Sequence, residues 1–284
     1  MNRLALLRIQ RQFARYGDRL LGRLVKWLLA ALRRTDPDRA ADLCGAIARR
    51  IGPHLRAHRI GQANLRAAFP DRDAAWIEAT LREAWDNLGR VAGEYVHLGR
   101  IWDFDEHAPN TGRIVTDAVD MFEMLRDDGK PALCFAAHLA NWELPAVAAA
   151  QHGLPSAVVY RMPNNKAVAK EITRIRGPLM GRLIRTRAQA ALEMAGALEA
   201  GLHLKANPSI ARLARRFDCP VIGVRVIRLP GRRFQISAEG PFDLPRDAAG
   251  LVDVPAATQM ITNVIERWVR EHPGQYLWFH RRWR

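Results

Sequence analysis

His138 and Glu143 stand five positions apart, directly after the apolar run Pro131-Ala132-Leu133-Cys134-Phe135-Ala136-Ala137. A short run of that kind reads as a strand buried on both faces. In a parallel sheet, ligands gather beyond the carboxyl ends of the strands, which is where His138 falls. Asn141 is a good helix N-cap, and Pro145 is tolerated in the first turn behind it. Glu143 would then sit in that first turn, where the helix dipole favours the ionised carboxylate. From there it can fold back onto His138, fix its tautomer and stabilise the imidazolium that forms on proton uptake. The arrangement is a general base with an orienting partner and no protein nucleophile. It suits activation of a substrate hydroxyl for attack on a thioester. No Gly-x-Ser-x-Gly elbow, His-Glu-x-x-His helix, Walker A loop or dinucleotide fingerprint accompanies it. His203, within Gly201-Leu-His-Leu204, looks like part of a strand start and reads as structural.

The elements around this pair suggest how it is positioned. Strand-type runs occupy Ala132–Ala137, Ala157–Tyr160, Val221–Ile227 and Phe234–Ala238. Helical spacing occupies 37–58, 73–100, 116–127, 142–151, 166–183, 188–200, 208–217 and 256–271. Alternation of this kind predicts an α/β fold, a mainly parallel or mixed central sheet flanked by helices on both faces. The expected organisation is an amphipathic helix over residues 1–35, associated with a membrane surface, and an α/β domain over 36–284. Cys44, Cys134 and Cys219 lie far apart in apolar stretches, which argues for buried reduced thiols rather than disulfides or a zinc site. No metal or cofactor is expected.

The charge narrows the class of partner. With 44 Lys and Arg against 29 Asp and Glu, the chain carries a formal +15, while 49% apolar residues exclude a disordered basic tail. Such a charge points to nucleic acid or to an anionic membrane surface. Residues 1–66 hold 15 basic and 4 acidic side chains, a net of +11. There Ile9, Phe13, Tyr16, Leu20, Leu24 and Leu28 form one helical stripe, and Arg8, Arg11, Arg15, Arg19, Arg23 and Lys26 another. An apolar stripe beside a basic one is how a helix lies in a membrane interface. Packing of that stripe on the protein's own core is the alternative. Arg23 and Lys26 interrupt the most apolar stretch, so no run approaches the roughly 20 residues of a membrane span. Residues 161–187 add eight basic side chains against one acidic, suited to clamping phosphate. No nucleic-acid-binding signature accompanies either cluster, so the expected polyanion is phosphorylated lipid and its membrane, not nucleic acid.

The segment His138-Leu-Ala-Asn-Trp-Glu143 resembles the His-x-x-x-x-Asp/Glu motif of glycerolipid-type acyltransferases. In this form it is similar to the lauroyl/myristoyl acyltransferases of lipid A biosynthesis. Further blocks match in order: Asn64-Leu-Arg-Ala-Ala-Phe-Pro70, Trp85-Asp-Asn-Leu-Gly-Arg90 with Glu94, Val159-Tyr160-Arg161-x-x-Asn164-Asn165, and His272-Pro-Gly-Gln-Tyr-Leu-Trp-Phe-His-Arg-Arg-Trp283. Coverage runs from about residue 40 to the C-terminus. The resemblance implies transfer of a fatty acyl chain from acyl carrier protein to a hydroxyl of a lipid A precursor, at the cytoplasmic face of the inner membrane. It implies His138 and Glu143 as the catalytic pair, with Arg161, Asn164 and Asn141 as substrate-binding residues. The closing Trp278, Arg281, Arg282 and Trp283 either anchor at headgroup level or pack the C-terminus. One departure stands out. After Leu204 the family continues through a strand into an Asp-Gln pair and a Gly-containing loop, whereas here Lys205-Ala-Asn-Pro-Ser209 follows at once. Roughly two dozen residues are missing, which could unpair an interior strand's neighbours or make this a catalytically impaired relative that keeps the fold and the membrane helix.

Overall fold

Helices dominate the first third of the chain: α1 (Arg3–Arg33), α2 (Pro37–Ile51), α3 (Arg56–Ala68), α4 (Ala74–Glu94) and the one-turn α5 (Leu98–Ile101). After β1 (Ile114–Thr116) and α6 (Val119–Asp127), strands and helices alternate. They are β2 (Leu133–Ala136), α7 (Leu144–Gln151), β3 (Ser156–Tyr160), α8 (Lys166–Arg176), β4 (Arg182–Arg185), α9 (Ala190–Glu199), β5 (His203–Lys205) and α10 (Ile210–Phe217). The hairpin β6 (Val221–Leu229) and β7 (Arg233–Glu239) and the long α11 (Val254–Glu271) complete the chain. The computed structural model describes residues 3–108, 110–163, 165–187, 189–205 and 210–281, with side chains from residue 17 onward, residue 19 excepted.

Local chemistry sets the helix starts. Asp36 caps α2 by accepting from the N–H groups of Asp38 and Arg39, with Pro37 as first helical residue. Asp73, Asn165 and Asp253 cap α4, α8 and α11 in the same way.

The seven strands form one sheet in the order β1-β7-β6-β2-β5-β3-β4, parallel throughout except for the antiparallel β6–β7 pair. The predicted mixed, mainly parallel sheet is therefore present. α3 and β1 lie largely outside the predicted elements, and the predicted helix 166–183 ends at Arg176, its last residues opening β4 instead. β4 carries Arg182 and Arg185 on an edge strand and reads as a continuation of the helix before it, because charged edges blur the strand signal. The central β2 divides its side chains between two layers. Leu133, Phe135 and Ala137 belong to the larger core, where Phe135 stacks on Trp268 of α11 with ring centroids 5.6 Å apart. Cys134 and Ala136 face the opposite layer, under α6 and α7. β5 has three residues yet pairs on both sides, Leu204 standing opposite Leu133 of β2 and Ala157 of β3. The sheet thus stays continuous without the missing segment. Burial raises the thiols of Cys134 and Cys219 to about 11, as expected of inert reduced cysteines.

α1 meets the body through a narrow contact. A Cβ on Gly22 would stand 2.3 Å from that of Ala167, so glycine permits α1 to cross α8 closely. Asn165 donates to the Asp18 carbonyl at 3.0 Å beside this crossing. The contact leaves Leu20, Leu21, Leu24, Trp27 and Leu28 exposed, Trp27 by 67%. The core-packing alternative therefore fails for this part of the stripe. Ile9, Phe13, Tyr16, Arg8, Arg11, Arg15 and Arg19 lie outside the described side chains. On α2, Leu43, Ile47 and Ile51 form a second exposed row, four residues apart. No described helix is long and apolar enough to cross a membrane.

An ion cluster ties α2 to the hairpin and to α4. Arg113 forks onto Asp38 at 2.6 and 2.7 Å, Arg232 reaches Asp38 at 3.2 Å and Asp42 at 3.1 Å, and Arg90 joins Asp42 and Asp86 at 2.6 Å each. The Arg113 hydrogen bonds hold the Asp38 carboxyl below its usual range. A depressed folded value means that the stabilisation is complete above the ordinary carboxylate range and is lost as pH falls through the folded value. We expect Asp38→Asn to lower unfolding free energy by about 2 kcal/mol at neutral pH, with the difference closing as pH falls through the depressed Asp38 value. Urea titrations of both proteins across that range check it.

Candidate functional site

His138 lies two residues past the carboxyl end of β2 and is exposed there. Two residues later the chain turns through Ala140, whose φ of +43° is a left-handed conformation costly to a residue with a Cβ. The C-terminal segment holds that turn in place. Leu139 forms a β-bridge with Tyr276, the Ala140 N–H donates to the Gln275 carbonyl, and the Leu277 N–H donates to the His138 carbonyl, each at 3.1 Å for the two hydrogen bonds. From α4, the Asn87 amide donates to the carbonyls of both Ala140 (3.3 Å) and Gln275 (3.0 Å).

Below the turn lies a buried polar network. Asn141 is wholly buried and donates to Glu94 at 2.9 Å. Arg228 forks onto Glu94 at 2.5 and 3.0 Å, and its Nε donates to Asn87 at 3.2 Å. The Gln275 side chain exchanges two hydrogen bonds with the Arg228 backbone at 2.7 and 3.0 Å. Asn64 completes the frame by donating to the carbonyls of Trp278 and His280, both at 2.6 Å. Trp278 is buried and donates to the Pro273 carbonyl, so it packs the C-terminus rather than projecting outward. Arg281 is exposed; Arg282 and Trp283 lie outside the described residues.

The predicted helix start moves by two residues. Asn141 is not the N-cap of α7. Its side chain closes a turn onto the Glu143 N–H at 3.3 Å, and Glu143 occupies the cap position without capping through its carboxylate. The left-handed Ala140 and the demand of Glu94 for the Asn141 amide explain the shift. The Glu143 carboxylate is bonded by Arg176 on both oxygens, Nε donating at 3.1 Å, and by the Trp142 indole at 3.1 Å. Arg176 in turn lies over the rings of Tyr95 (5.7 Å) and Tyr160 (5.5 Å). Burial opposes the Arg176 charge, but Glu143 outweighs it and raises the guanidinium above its usual value. The His138 ring meets the Trp142 ring at 5.3 Å, tilted by 57°. Lys205, at the end of β5, donates to the Trp142 carbonyl at 2.9 Å.

A cavity of about 150 Å³ lies under α6 and α7 against the sheet face that bears Cys134, Ala136, Val158 and Lys205. Its walls are chiefly apolar and aromatic, with Phe122, Ala146 and Ala149 among them. Arg161 follows β3 at the same carboxyl edge of the sheet as His138 and is exposed. Asn164 lies outside the described residues. His203 is buried in β5, and burial lowers its pKa, in keeping with a structural role. Arg176, Arg228 and Lys205 carry no local signal in the sequence, since a lone basic residue reads as a solvated one. Asn64, Asn87, Glu94 and Gln275 sit in the blocks that carry the resemblance, but their convergence on one loop is a tertiary fact.

Comparison with known families gives a match to the model of the bacterial lipid A biosynthesis acyltransferases, over residues 10–201 and 200–284. The chain belongs to this family, and its role is that of an acyltransferase in lipid A biosynthesis. The match divides at residues 200–201, close to where the chain lacks the expected loop. Comparison with curated proteins gives no match. Removing Glu94 would strand Arg228 beside a loop held in an unfavourable turn. Glu94→Ala is expected to cost about 3–5 kcal/mol of stability, the usual consequence of breaking one side of a buried ion pair, read by urea denaturation.

Proposed function

We propose that this family member moves a fatty acyl chain from acyl carrier protein to a hydroxyl of a lipid A precursor, at the cytoplasmic face of the inner membrane. The observation that carries the reading is the position of His138. It is exposed and lies two residues past β2, the strand whose Cys134 and Ala136 line the apolar cavity. An alkyl chain lying in that cavity would bring its thioester toward the imidazole.

In the proposed reaction His138 takes the proton of the acceptor hydroxyl as the oxygen attacks the thioester carbonyl. Collapse of the tetrahedral intermediate breaks the C–S bond, and the imidazolium returns the proton to the leaving thiolate. Glu143 is the partner carboxylate. It lies five residues after His138 and is itself held by Arg176 of α8 and by the Trp142 indole. Arg161, with Arg185 of β4 standing opposite Tyr160, offers guanidinium groups to the phosphates of acceptor or donor. The exposed row Leu20, Leu24, Trp27 and Leu28, with Arg23 and Lys26 also exposed, supports a membrane-surface role for α1.

The break in the family match favours a second reading, a catalytically silent relative that keeps the fold and the membrane surface. Acyl-transfer assays with an acyl carrier protein donor separate the two. The first reading expects turnover that His138→Ala lowers by about 10² to 10⁴, the usual worth of a general base; an unchanged rate in that variant sinks the mechanism, and no wild-type turnover selects the second reading. For the membrane surface, Leu24→Asp with Trp27→Asp is expected to reduce co-sedimentation with anionic vesicles by about tenfold or more.

A further inference from the structure

Lys205 is costly where it stands. Its side chain lines the apolar cavity, and among the described residues its ammonium makes one hydrogen bond, to the Trp142 carbonyl at 2.9 Å. An ammonium has three donors, so two have no partner among the described residues. Burial pushes its pKa below the usual lysine value, although the Glu143 charge acts in the opposite direction. Glu143 does not complete the pairing, because its hydrogen bonds go to Arg176 and Trp142. Arg176 and Lys205 together face one carboxylate, which leaves a surplus of one positive charge.

The other ionisable groups around the cavity do not offset that surplus. Glu106 is paired with His152, and Arg126 with Asp127. Glu123 is exposed on α6. On the sheet floor, burial favours neutral His203 and the protonated Cys134 thiol. Among the described residues, Lys205 is therefore the one cation that β2, β3 and β5 present to the apolar slot. A half-buried cation beside apolar walls complements an amphiphilic anion, whose charge satisfies the ammonium while its chain displaces water from the walls.

We propose that Lys205 and this cavity bind a free long-chain fatty acid, its carboxylate on the ammonium and its alkyl chain between the sheet and α6–α7. The proposal rests on the acyl-chain reading of the cavity and extends it to a chain that has lost its carrier. The bound acid occupies the space of the donor's acyl chain and competes with it.

Equilibrium dialysis at pH 7 with dodecanoate and dodecanol, both below their aggregation concentrations, tests the site without turnover. The wild type is expected to bind the acid at least about tenfold more tightly than the alcohol, the scale of a charge-assisted hydrogen bond. Lys205→Met should abolish that preference while retaining dodecanol binding, and Lys205→Arg should keep the preference. Equal binding of acid and alcohol by the wild type, no binding of dodecanoate, or an undiminished preference in Lys205→Met overturns the site. The wild-type comparison decides the matter even if a variant fails to fold. Dodecanoate binding without acyl transfer would retain the site and remove the proposed activity; acyl transfer without dodecanoate binding would do the reverse.

Discussion

The buried Glu94 carboxylate is the interaction on which the candidate site depends. It receives Arg228 from β6 and Asn141 from the loop after β2, and so joins α4, the sheet and the His138 loop at one point. The loop needs such an anchor because Ala140 adopts a left-handed conformation that its own side chain disfavours. A buried charge pair of this kind contributes little net stability when compared with well-packed apolar residues. What it supplies here is position, alongside the C-terminal segment and Asn87, which also hold the turn that presents His138.

Around that anchor the charge of the molecule divides by function. Several arginines are structural. Arg113, Arg232 and Arg90 bind the acids of α2 and α4, Arg228 binds Glu94, and Arg176 binds Glu143. Others face solvent, including Arg161 at the sheet edge and Arg23 and Lys26 on α1. The formal +15 thus overstates the charge free to meet a polyanion. Local placement matters more than the total, because exposed charges act over roughly a Debye length of about 8–10 Å.

β5 shows how little backbone a sheet interior requires. Three residues of β5 satisfy neighbours on both sides, and Lys205 emerges directly beside the Trp142 carbonyl. An interior strand must pair its polar groups wherever they are buried. That requirement is met by register, and a short strand meets it as well as a long one where its neighbours are short too.

Much of the architecture was legible in the residues themselves. The apolar run at 131–137, the helix starts near 37 and 166 and the alternation after residue 130 follow from local physics: burial period, helical spacing and chain entropy at Gly and Pro. The stripe on α1 was equally readable, since helical periodicity is a property of neighbours three and four apart. β1 and β4 were not, because three or four residues at a sheet edge carry too little pattern. The Arg176 grip on Glu143, the displacement of Asn141 from the N-cap to Glu94, and the isolation of Lys205 were decided only in three dimensions. Each depends on partners more than 30 positions away, and a charged side chain's role is set by which opposite charge the fold brings to it. The sequence determined which groups could do the chemistry; the tertiary structure decided which of them were already spoken for.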